Sequence, residues 1–564
     1  MACRRSNTIR RSWNTKLHAD RTLESPGKPG AEGAQAGLPA VISQAKGQSR
    51  AVIGTNYRRL CFVLSGPAVL LWVGKHEIIV CGVVNRNDSG EVFMLVDVLN
   101  RIDSIVWGPW LLILLVGTGV FLSCRLGFLQ VMKLPRALKL IFFARNKGDG
   151  DIDSFKALCT ALAATVGTGN IVGVATAIKL GGPGALFWMW LAAFFGMATK
   201  FSEGCLAVKF RQVDDQGNIA GGPMYYIEMG LGKKWKPLAV AFALFGIMTA
   251  MLGSGTTTQM NAIVSSVQAG FGVSTYITCA IVTILVAIIT FGGLQSISKT
   301  ASKIVPAMAV IYFIITVIFL VMNSAELPRA IGEVFSGAFN GTAAAGGFAG
   351  AGLMLTIRSG IARGLYSNES GLGSAPIVAA AAKTKWPAEQ GLISMTGTFI
   401  DTIVVCSITG LTIASSGVLG TTDASGAPLK GIALTMAAFS TNIGVIGTYI
   451  VAIGIILFAF STILGWEYHG EKAWEYLFGT HKFNMVYRVV FSLVVYVGAT
   501  QTLDLVWNLS DIANALMAIP NLISLLVLSP VIKEEVVRFQ GVLAKERAEK
   551  AALAAKEEGA KAHI

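Results

Sequence analysis

Charge is scarce in this chain of 564 residues: Asp, Glu, Lys and Arg make up only 14% of it, whereas 53% is hydrophobic. A soluble protein of this size would need more charged residues to cover its surface. The sequence also contains no HExxH pattern, no P-loop and no CxxC pair. It therefore gives no support to a zinc protease, to a nucleotide-binding site, or to a disulfide or zinc framework built from its eight cysteines.

Long apolar runs are present instead, and the mean hydropathy is +0.61. A helix of about 20 residues crosses the roughly 30 Å hydrocarbon core of a membrane. The sequence predicts an all-α integral membrane protein with eleven spans, at 107–125, 156–180, 184–208, 236–262, 275–292, 303–322, 338–357, 391–415, 444–466, 484–500 and 509–530.

Positive charge alternates between successive loops of this arrangement. The 126–153 loop is rich in Lys and Arg, whereas the 263–274 and 501–508 loops have neither. Because cytoplasmic loops collect Lys and Arg, the 126–153 loop and the C-terminus are predicted to be cytoplasmic. The same rule explains the net charge of +14 without nucleic acid.

The two ends of the chain differ from the apolar middle, 94–532. Residues 1–60 carry many Arg and Lys residues on the side that the alternation places outside. Either an extra span near 60–84 moves this basic tail to the cytoplasm, or Met94 is the natural initiator and 1–93 is an upstream extension. We favour the second explanation. Residues 533–564 are rich in Ala, Glu, Lys and Arg and predict a cytoplasmic charged helical tail.

One apolar run, 160–182, is interrupted at its centre by Gly167, Thr168, Gly169 and Asn170. Glycine and asparagine are poor helix formers, and asparagine is costly in hydrocarbon. Five spans later, the 338–357 run is also interrupted by glycines, at Gly346, Gly347, Gly350 and Gly352. Close helix packing could explain either case alone. Two interruptions at corresponding positions predict two inverted five-helix halves, with 107–125 outside the repeat.

A broken helix frees backbone N–H groups at one half-helix and carbonyls at the other. In hydrocarbon such groups persist only where they line a cavity or bind something. The N-terminal end of a half-helix suits a carboxylate, and freed carbonyls suit a hard cation such as sodium. An amino acid that binds together with a cation would use both the N-terminal end of the half-helix and the freed carbonyls.

Four motifs carry a resemblance to a known family. They are TVGTGNIVGVA, GGPGALFWMWLAAFFG from Gly181 to Gly196, GGPMYYIE from Gly221 to Glu228, and GLYSNESGLGSAP from Gly364 to Pro376. With them the chain resembles the alanine or glycine:cation symporter family, also called sodium:alanine symporters, from about Met94 to Ile532. The resemblance implies a leucine-transporter-type 5+5 inverted-repeat fold with one extra N-terminal helix, and no enzymatic activity.

The resemblance also implies residue roles. Contacts to the amino acid are expected from Thr165, Thr168, Gly169, Asn170, Gln259, Phe348, Ala349, Thr462 and Trp466. Sodium ligands are expected from the carbonyls of Ala163 and Val166 and the hydroxyls of Ser461 and Thr462. Each has a plainer alternative: Trp466 as an anchor at the membrane interface, Gln259 as a bond to another helix, and the hydroxyls as bonds within their own helix.

Three carboxylates in or near the spans remain without an assigned role. Asp401 could tune the cation site, carry a proton, or hold helices together. Glu203 and Glu369 could form a gate with Arg358 or Arg363, or could simply be solvated boundary residues.

The sequence therefore predicts a secondary active transporter of the cell membrane, with sodium-coupled uptake of a small neutral amino acid, alanine or glycine. A proton-coupled or exchange carrier of another small amino acid is the alternative. A channel would need a ring of charged residues. The expected partners are the amino acid, sodium as the coupling ion and membrane lipid, with no other cofactor and no nucleic acid. The sequence does not separate alanine from glycine or sodium from proton, and it does not give the oligomeric state.

Overall fold

A computed structural model describes residues 61–62, 69–73, 78–82, 89–144, 148–340, 349–423, 426–501 and 503–561. The chain divides into two compact units, Met1–Gly90 and Glu91–Ile564. In the first unit, the strands β1 (Cys61–Phe62), β2 (Val69–Val73) and β3 (Ile78–Gly82) form an antiparallel sheet in the order β1-β2-β3, in which Val73 pairs with Ile78.

The second unit is helical apart from one small hairpin, β4 (Gln212–Val213) and β5 (Ile219–Ala220), among its described residues. Its helices are α1 (Ser89–Val106), α2 (Pro109–Arg125), α3 (Leu129–Met132), α4 (Leu134–Phe143), α5 (Ser154–Thr165), α6 (Val172–Gly181), α7 (Ala185–Lys209), α8 (Pro223–Leu231), α9 (Lys236–Leu252), α10 (Thr257–Phe271), α11 (Thr275–Thr290), α12 (Gly293–Met322), α13 (Leu327–Asn340), α14 (Ala349–Asn368), α15 (Ala375–Ala379), α16 (Pro387–Thr398), α17 (Ser407–Ser415), α18 (Gly431–Ile443), α19 (Val445–Phe478), α20 (Asn484–Gly498), α21 (Leu503–Val527) and α22 (Ser529–Lys561).

Six of the described helical segments are long and apolar enough to cross a membrane, or up to eight if each of two bent pairs counts as one span. One bent pair is α5 with the segment Thr168–Gly181, at 60°. Large apolar side chains on the outside of these helices, such as Ile314 at 50% and Val321 at 66% exposure on α12, suit a lipid surround. The structure is therefore that of a multi-pass membrane protein.

Several predicted spans need new boundaries. Helix α12 begins ten residues before the predicted 303–322 span, and α19 continues twelve residues beyond the predicted 444–466 span. Two further spans differ more. The predicted 236–262 span is two helices, α9 and α10, which are separated at 253–256. The predicted 338–357 span is replaced by α13 and the longer α14, whereas 341–348 lies outside the described residues. In both places glycines interrupt an apolar run, so hydropathy alone does not show where the helix ends.

Glycines let α7 pack closely against its neighbours. A Cβ at Gly391 of α16 would lie 2.7 Å from the Phe201 carbonyl oxygen, and one at Gly204 would overlap the Ser394 hydroxyl. On the other side, a Cβ at Gly364 of α14 would lie 3.3 Å from the Met189 Cα. Small residues permit such approach between membrane helices, and here they bring α14 and α16 together around α7.

Candidate functional site

The first broken helix is interrupted where the sequence predicts it. After α5 ends at Thr165, a short 3-10 turn at Thr168–Asn170 leads into α6. The Gly167 N–H donates to the Asn170 side-chain oxygen at 2.9 Å, and the Thr168 N–H donates to Gln259 Oε1 at 3.2 Å. Side chains therefore satisfy backbone groups that a continuous helix would have satisfied.

The interruption releases two particular carbonyls. In a continuous helix, the N–H groups of Gly167 and Asn170 would bond to the carbonyls of Ala163 and Val166. Instead, the Gly167 N–H bonds to Asn170 Oδ1, and the Asn170 N–H bonds to the Gly167 carbonyl at 3.3 Å. The predicted carbonyl ligands of sodium are thus the carbonyls freed from these helical bonds.

Asp401 links the first break to the second broken helix. It is fully buried in a π-helical stretch, Phe399–Cys406, between α16 and α17. Asn170 Nδ2 donates to Asp401 Oδ1 at 2.8 Å and to the Asp401 carbonyl at 3.1 Å. The hydroxyls of Ser367 and Thr402 donate to Asp401 Oδ2 at 2.8 and 2.7 Å. Of the three predicted roles, these contacts directly support the joining of helices.

A second interruption lies in the GLYSNESGLGSAP motif. The α14 helix ends at Asn368, the chain passes through positive φ at Glu369, Gly371 and Gly373, and α15 begins at Ala375. The C-terminal end of α14 faces the first break, because a Cβ at Gly169 would lie 2.9 Å from Ser367 Cα and 3.2 Å from the Tyr366 ring. The two breaks therefore meet. The glycines and the following proline of this motif are a signal of a break in the sequence itself, whereas the density of glycines favours 338–357.

Gln259 joins these breaks to a third interruption, at 253–256. Its Oε1 accepts from the Thr168 N–H at 3.2 Å, and its Nε2 donates to the Ser254 carbonyl at 2.9 Å. A contact of Gln259 with the substrate stays a prediction; in the described structure both polar ends of the side chain are bonded to backbone, as in the plainer alternative of a bond to another helix.

Ser461 and Thr462 lie on α19 beside the first break. Both hydroxyls donate to the Phe458 carbonyl, at 2.9 and 3.0 Å. A Cβ at Gly167 would overlap the Thr462 oxygen. Since each hydroxyl uses its hydrogen within the helix, its lone pairs remain available to a cation.

Trp466 is buried at 1% exposure, so the alternative of an anchor at the membrane interface is wrong. Its indole N–H donates to Glu369 Oε1 at 2.9 Å, which ties α19 to the second break.

For three of the predicted substrate contacts, Thr165, Ala349 and Phe348, the described structure gives no support. The Thr165 hydroxyl bonds to its own helix, with the Ala161 carbonyl at 3.2 Å. Ala349 begins α14, so it lies about 27 Å along the helix axis from Ser367, which adjoins the first break. Phe348 lies outside the described residues. The structure therefore brings Tyr366 and Ser367, not Ala349, to the first break.

Neither of the two possibilities for Glu203 and Glu369, a gate with an arginine or a solvated boundary position, is correct. Arg363 pairs with Asp511, with Nη2 and Oδ2 2.5 Å apart, and Arg358 pairs with Asp103 at 3.5 Å. Glu203 and Glu369 are buried at 0% and 2% exposure, so they are not solvated boundary residues either. Arg358 and Arg363 lie on α14 one or more turns before the break, so they are too far from Glu369 to pair with it.

A cavity of about 340 Å³ adjoins α6 on the side of the arginines. Arg363, Asp511 and Trp507 are among its lining residues. The Arg363 guanidinium lies 4.6 Å from the centre of the Trp507 ring, which stands 4.8 Å from that of Tyr366. Because Tyr366 touches Gly169, this layer separates the cavity from the meeting breaks.

The segments flanking the two broken helices are tied together at the other end. The Asp151 N–H donates to the Ala381 carbonyl at 2.8 Å, and the Lys383 N–H to the Ile152 carbonyl at 2.8 Å. Arg211 donates to carbonyls of the same segment, including Ala382 at 2.8 Å and Thr384 at 2.9 Å. These bonds close the end opposite the cavity.

Comparison with known proteins gives one family match, two similar relatives and one similar solved structure. The profile of the family described as "Sodium:alanine symporter family" matches residues 92–553. The "Sodium/alanine symporter AgcS" of Methanococcus maripaludis is 51% identical over 454 residues, 79% of this chain and 98% of that protein. An "Uncharacterized transporter" of Haemophilus influenzae is 51% identical over 439 residues, 78% of this chain and 94% of that protein. Among solved structures, that of MhsT in complex with L-phenylalanine matches with a TM-score of 0.45 and 12% identity, covering 69% of this chain and 99% of that one.

Proposed function

Because the chain belongs to the sodium:alanine symporter family, we propose that it couples the inward movement of sodium to uptake of alanine or glycine, at the meeting point of the two broken helices. The relative from Methanococcus is named as a sodium/alanine symporter. The observation that carries the location is that Ala163 and Val166 lose their helical partners directly beside Thr462. No reaction is performed on the substrate.

The cation is proposed to bind to those two carbonyls and to the hydroxyl oxygens of Ser461 and Thr462. Oxygen ligands suit a hard cation, and freed carbonyls in a membrane need such a partner. The ligands come from two different helices, α5 and α19. Sodium would therefore stabilise the arrangement in which these helices approach each other.

The amino acid is proposed to bind on the other side of the break, near Thr168 and Gly169. The Thr168 hydroxyl is buried at 1% exposure and has no hydrogen-bond partner among the described residues. The positive N-terminal end of α6 suits the substrate carboxylate. Gln259 of α10 accepts from the Thr168 N–H, and Tyr366 lies beside Gly169. We propose that these side chains bound the substrate, with Trp466 of α19 beside the second break. Such walls suit a small side chain.

We propose the leucine-transporter-type architecture of eleven spans, with two inverted five-helix halves after an extra first helix. The interruptions at α5/α6 and at α14/α15 support it, since inverted repeats place paired broken helices at the site. We further propose that 94–532 form the transporter domain in the cell membrane, and that the 533–564 tail lies in the cytoplasm, as the Lys and Arg alternation supports.

Gradients imposed on proteoliposomes test this function. We expect labelled alanine to accumulate under an inward sodium gradient at equal pH on both sides, and not under a pH gradient without sodium. Accumulation driven by the pH gradient alone would favour the proton-coupled alternative. An absence of accumulation under both gradients, with alanine and with glycine, would overturn the proposal.

A further inference from the structure

A second group of charges lies at the second break, apart from the proposed sodium ligands. It comprises Lys200 and Glu203 of α7 and Glu369 of the break, which are 2%, 0% and 2% exposed. Buried charges in a membrane are costly unless they compensate one another. Two carboxylates and one ammonium leave one negative charge uncompensated.

The carboxyl groups of Glu369 and Glu203 differ in their hydrogen bonds. Glu369 accepts at both oxygens, from the Trp466 indole at 2.9 Å and from the Ser374 hydroxyl. Glu203 Oε1 accepts from the Gly371 N–H at 3.0 Å and from Asn521 Nδ2 at 2.7 Å, and the Gly373 N–H also faces this carboxyl group. Its Oε2 is buried and has no partner among the described residues. An ionised oxygen without a donor is the costlier state, so a proton is better placed on Glu203 than on Glu369.

The other titratable groups around Glu203 do not balance the charge. Lys200 donates to the Asn368 carbonyl at 2.9 Å and is already counted as positive. Both ring nitrogens of His469 are buried without a partner in the described structure, and a charged imidazolium would leave two donors unpaired. Tyr226 donates to Asn521, and Asp401, which faces Glu369 from the π-helical stretch, adds negative charge.

We propose that Glu203 is a proton-binding site, protonated at Oε2 while the second break is closed. Its other oxygen holds the Gly371 N–H, so opening of the break would admit water and let Glu203 release its proton to that water. Binding and conformation are then linked, and proton binding favours the closed break. The proposal relies on the proposed function only for placing this step in a transport cycle.

Infrared difference spectroscopy of the purified protein in lipid vesicles tests the proposal without transport. We expect wild type at neutral pH to show the carbonyl band of a protonated carboxyl group. Glu203→Gln should lose this band, and Glu203→Asp should shift it. The matched variant Glu475→Gln, which removes a buried carboxylate paired with Lys472 outside this cluster, should keep it. Thermal unfolding confirms that each variant is folded.

Two results would overturn the proposal: an identical band in wild type and Glu203→Gln, or a band that disappears in Glu369→Gln and stays in Glu203→Gln. Failure of sodium-driven uptake in wild type would instead refute the proposed function and leave the band unaffected.

Discussion

Asn170 shows how a costly residue is accommodated inside the membrane. Its amide group donates to Asp401, and its oxygen accepts from the Gly167 N–H. The side chain thus stabilises the interruption of the helix and connects it to the π-helical stretch. Loss of transport on removal of Asn170 would therefore not distinguish a binding contact from a structural one, and a residue without protein partners makes a better probe.

Thr168 provides that probe. Thr168→Val keeps the shape of the side chain and removes a hydroxyl that bonds to nothing among the described residues. If this hydroxyl binds the substrate, we expect alanine KM to rise about 10-fold, which corresponds to about 1.4 kcal/mol for one hydrogen bond. Thermal stability should stay unchanged. The matched variant Thr165→Val, whose hydroxyl bonds to its own helix, should change KM little; equal effects of the two variants would count against the assignment.

Three interrupted helices lie next to one another in the structure, with breaks between α5 and α6, between α9 and α10, and between α14 and α15. The first break also packs against the continuous helix α19. Gly167 packs closely against Thr462 of α19, and Gly169 packs closely against Ser367 of α14. Glycine is required here by close approach, because any Cβ would meet neighbouring atoms. Gly173, only one to two turns further along the chain, has no foreign atom nearer than 4.0 Å to such a Cβ.

This contrast predicts opposite outcomes for two substitutions of the same kind. Gly167→Ala should abolish sodium-driven uptake, because the added methyl group overlaps the Thr462 oxygen. Gly173→Ala should retain uptake and slightly raise stability, by roughly 0.5–1 kcal/mol, as expected for alanine within a helix. Uptake by proteoliposomes and thermal unfolding measure the two effects. Retained uptake in Gly167→Ala would show that the two helices do not pack as described.

Some elements could be predicted from the sequence and others could not. The first break was predicted, since Gly167, Gly169 and Asn170 stand out in an apolar run. The second was expected among Gly346 to Gly352, where glycines are densest, yet the described interruption lies at Gly371 and Gly373. The π-helical stretch around Asp401 has no signature in the sequence, because it depends on the tertiary contacts of Asn170 and Ser367.

At the scale of the whole molecule, the site is closed by unequal layers. On one side the bonds between the 151–152 and 381–383 segments and Arg211 form an extensive closure. On the other side, among the described residues, the Arg363–Asp511 pair and the rings of Tyr366 and Trp507 separate the site from the 340 Å³ cavity. The thinner layer is the one expected to open first.

Asp511→Asn should weaken that layer by removing one charge of the pair. A cysteine in place of Thr258, whose hydroxyl accepts from Tyr366 at 3.0 Å, reports on the opening through its reaction with a membrane-impermeant maleimide. We expect labelling about tenfold faster, as for a shift of about 1.4 kcal/mol. Asp103→Asn, which disrupts the neighbouring pair with Arg358, is the matched control. Unchanged labelling in Asp511→Asn would mean that the pair does not hold the layer closed.

We propose that carbonyls released at the first break bind sodium together with hydroxyls of α19, and that this sodium governs alanine binding. Equilibrium binding of labelled alanine to the purified protein, titrated with sodium, measures it directly. Ser461→Ala should raise the sodium concentration at half-saturation about tenfold, while alanine affinity at saturating sodium stays nearly unchanged. Ser492→Ala, which removes a similar intrahelical hydroxyl on α20, should match wild type. A sodium dependence that is identical in Ser461→Ala and wild type would contradict the account.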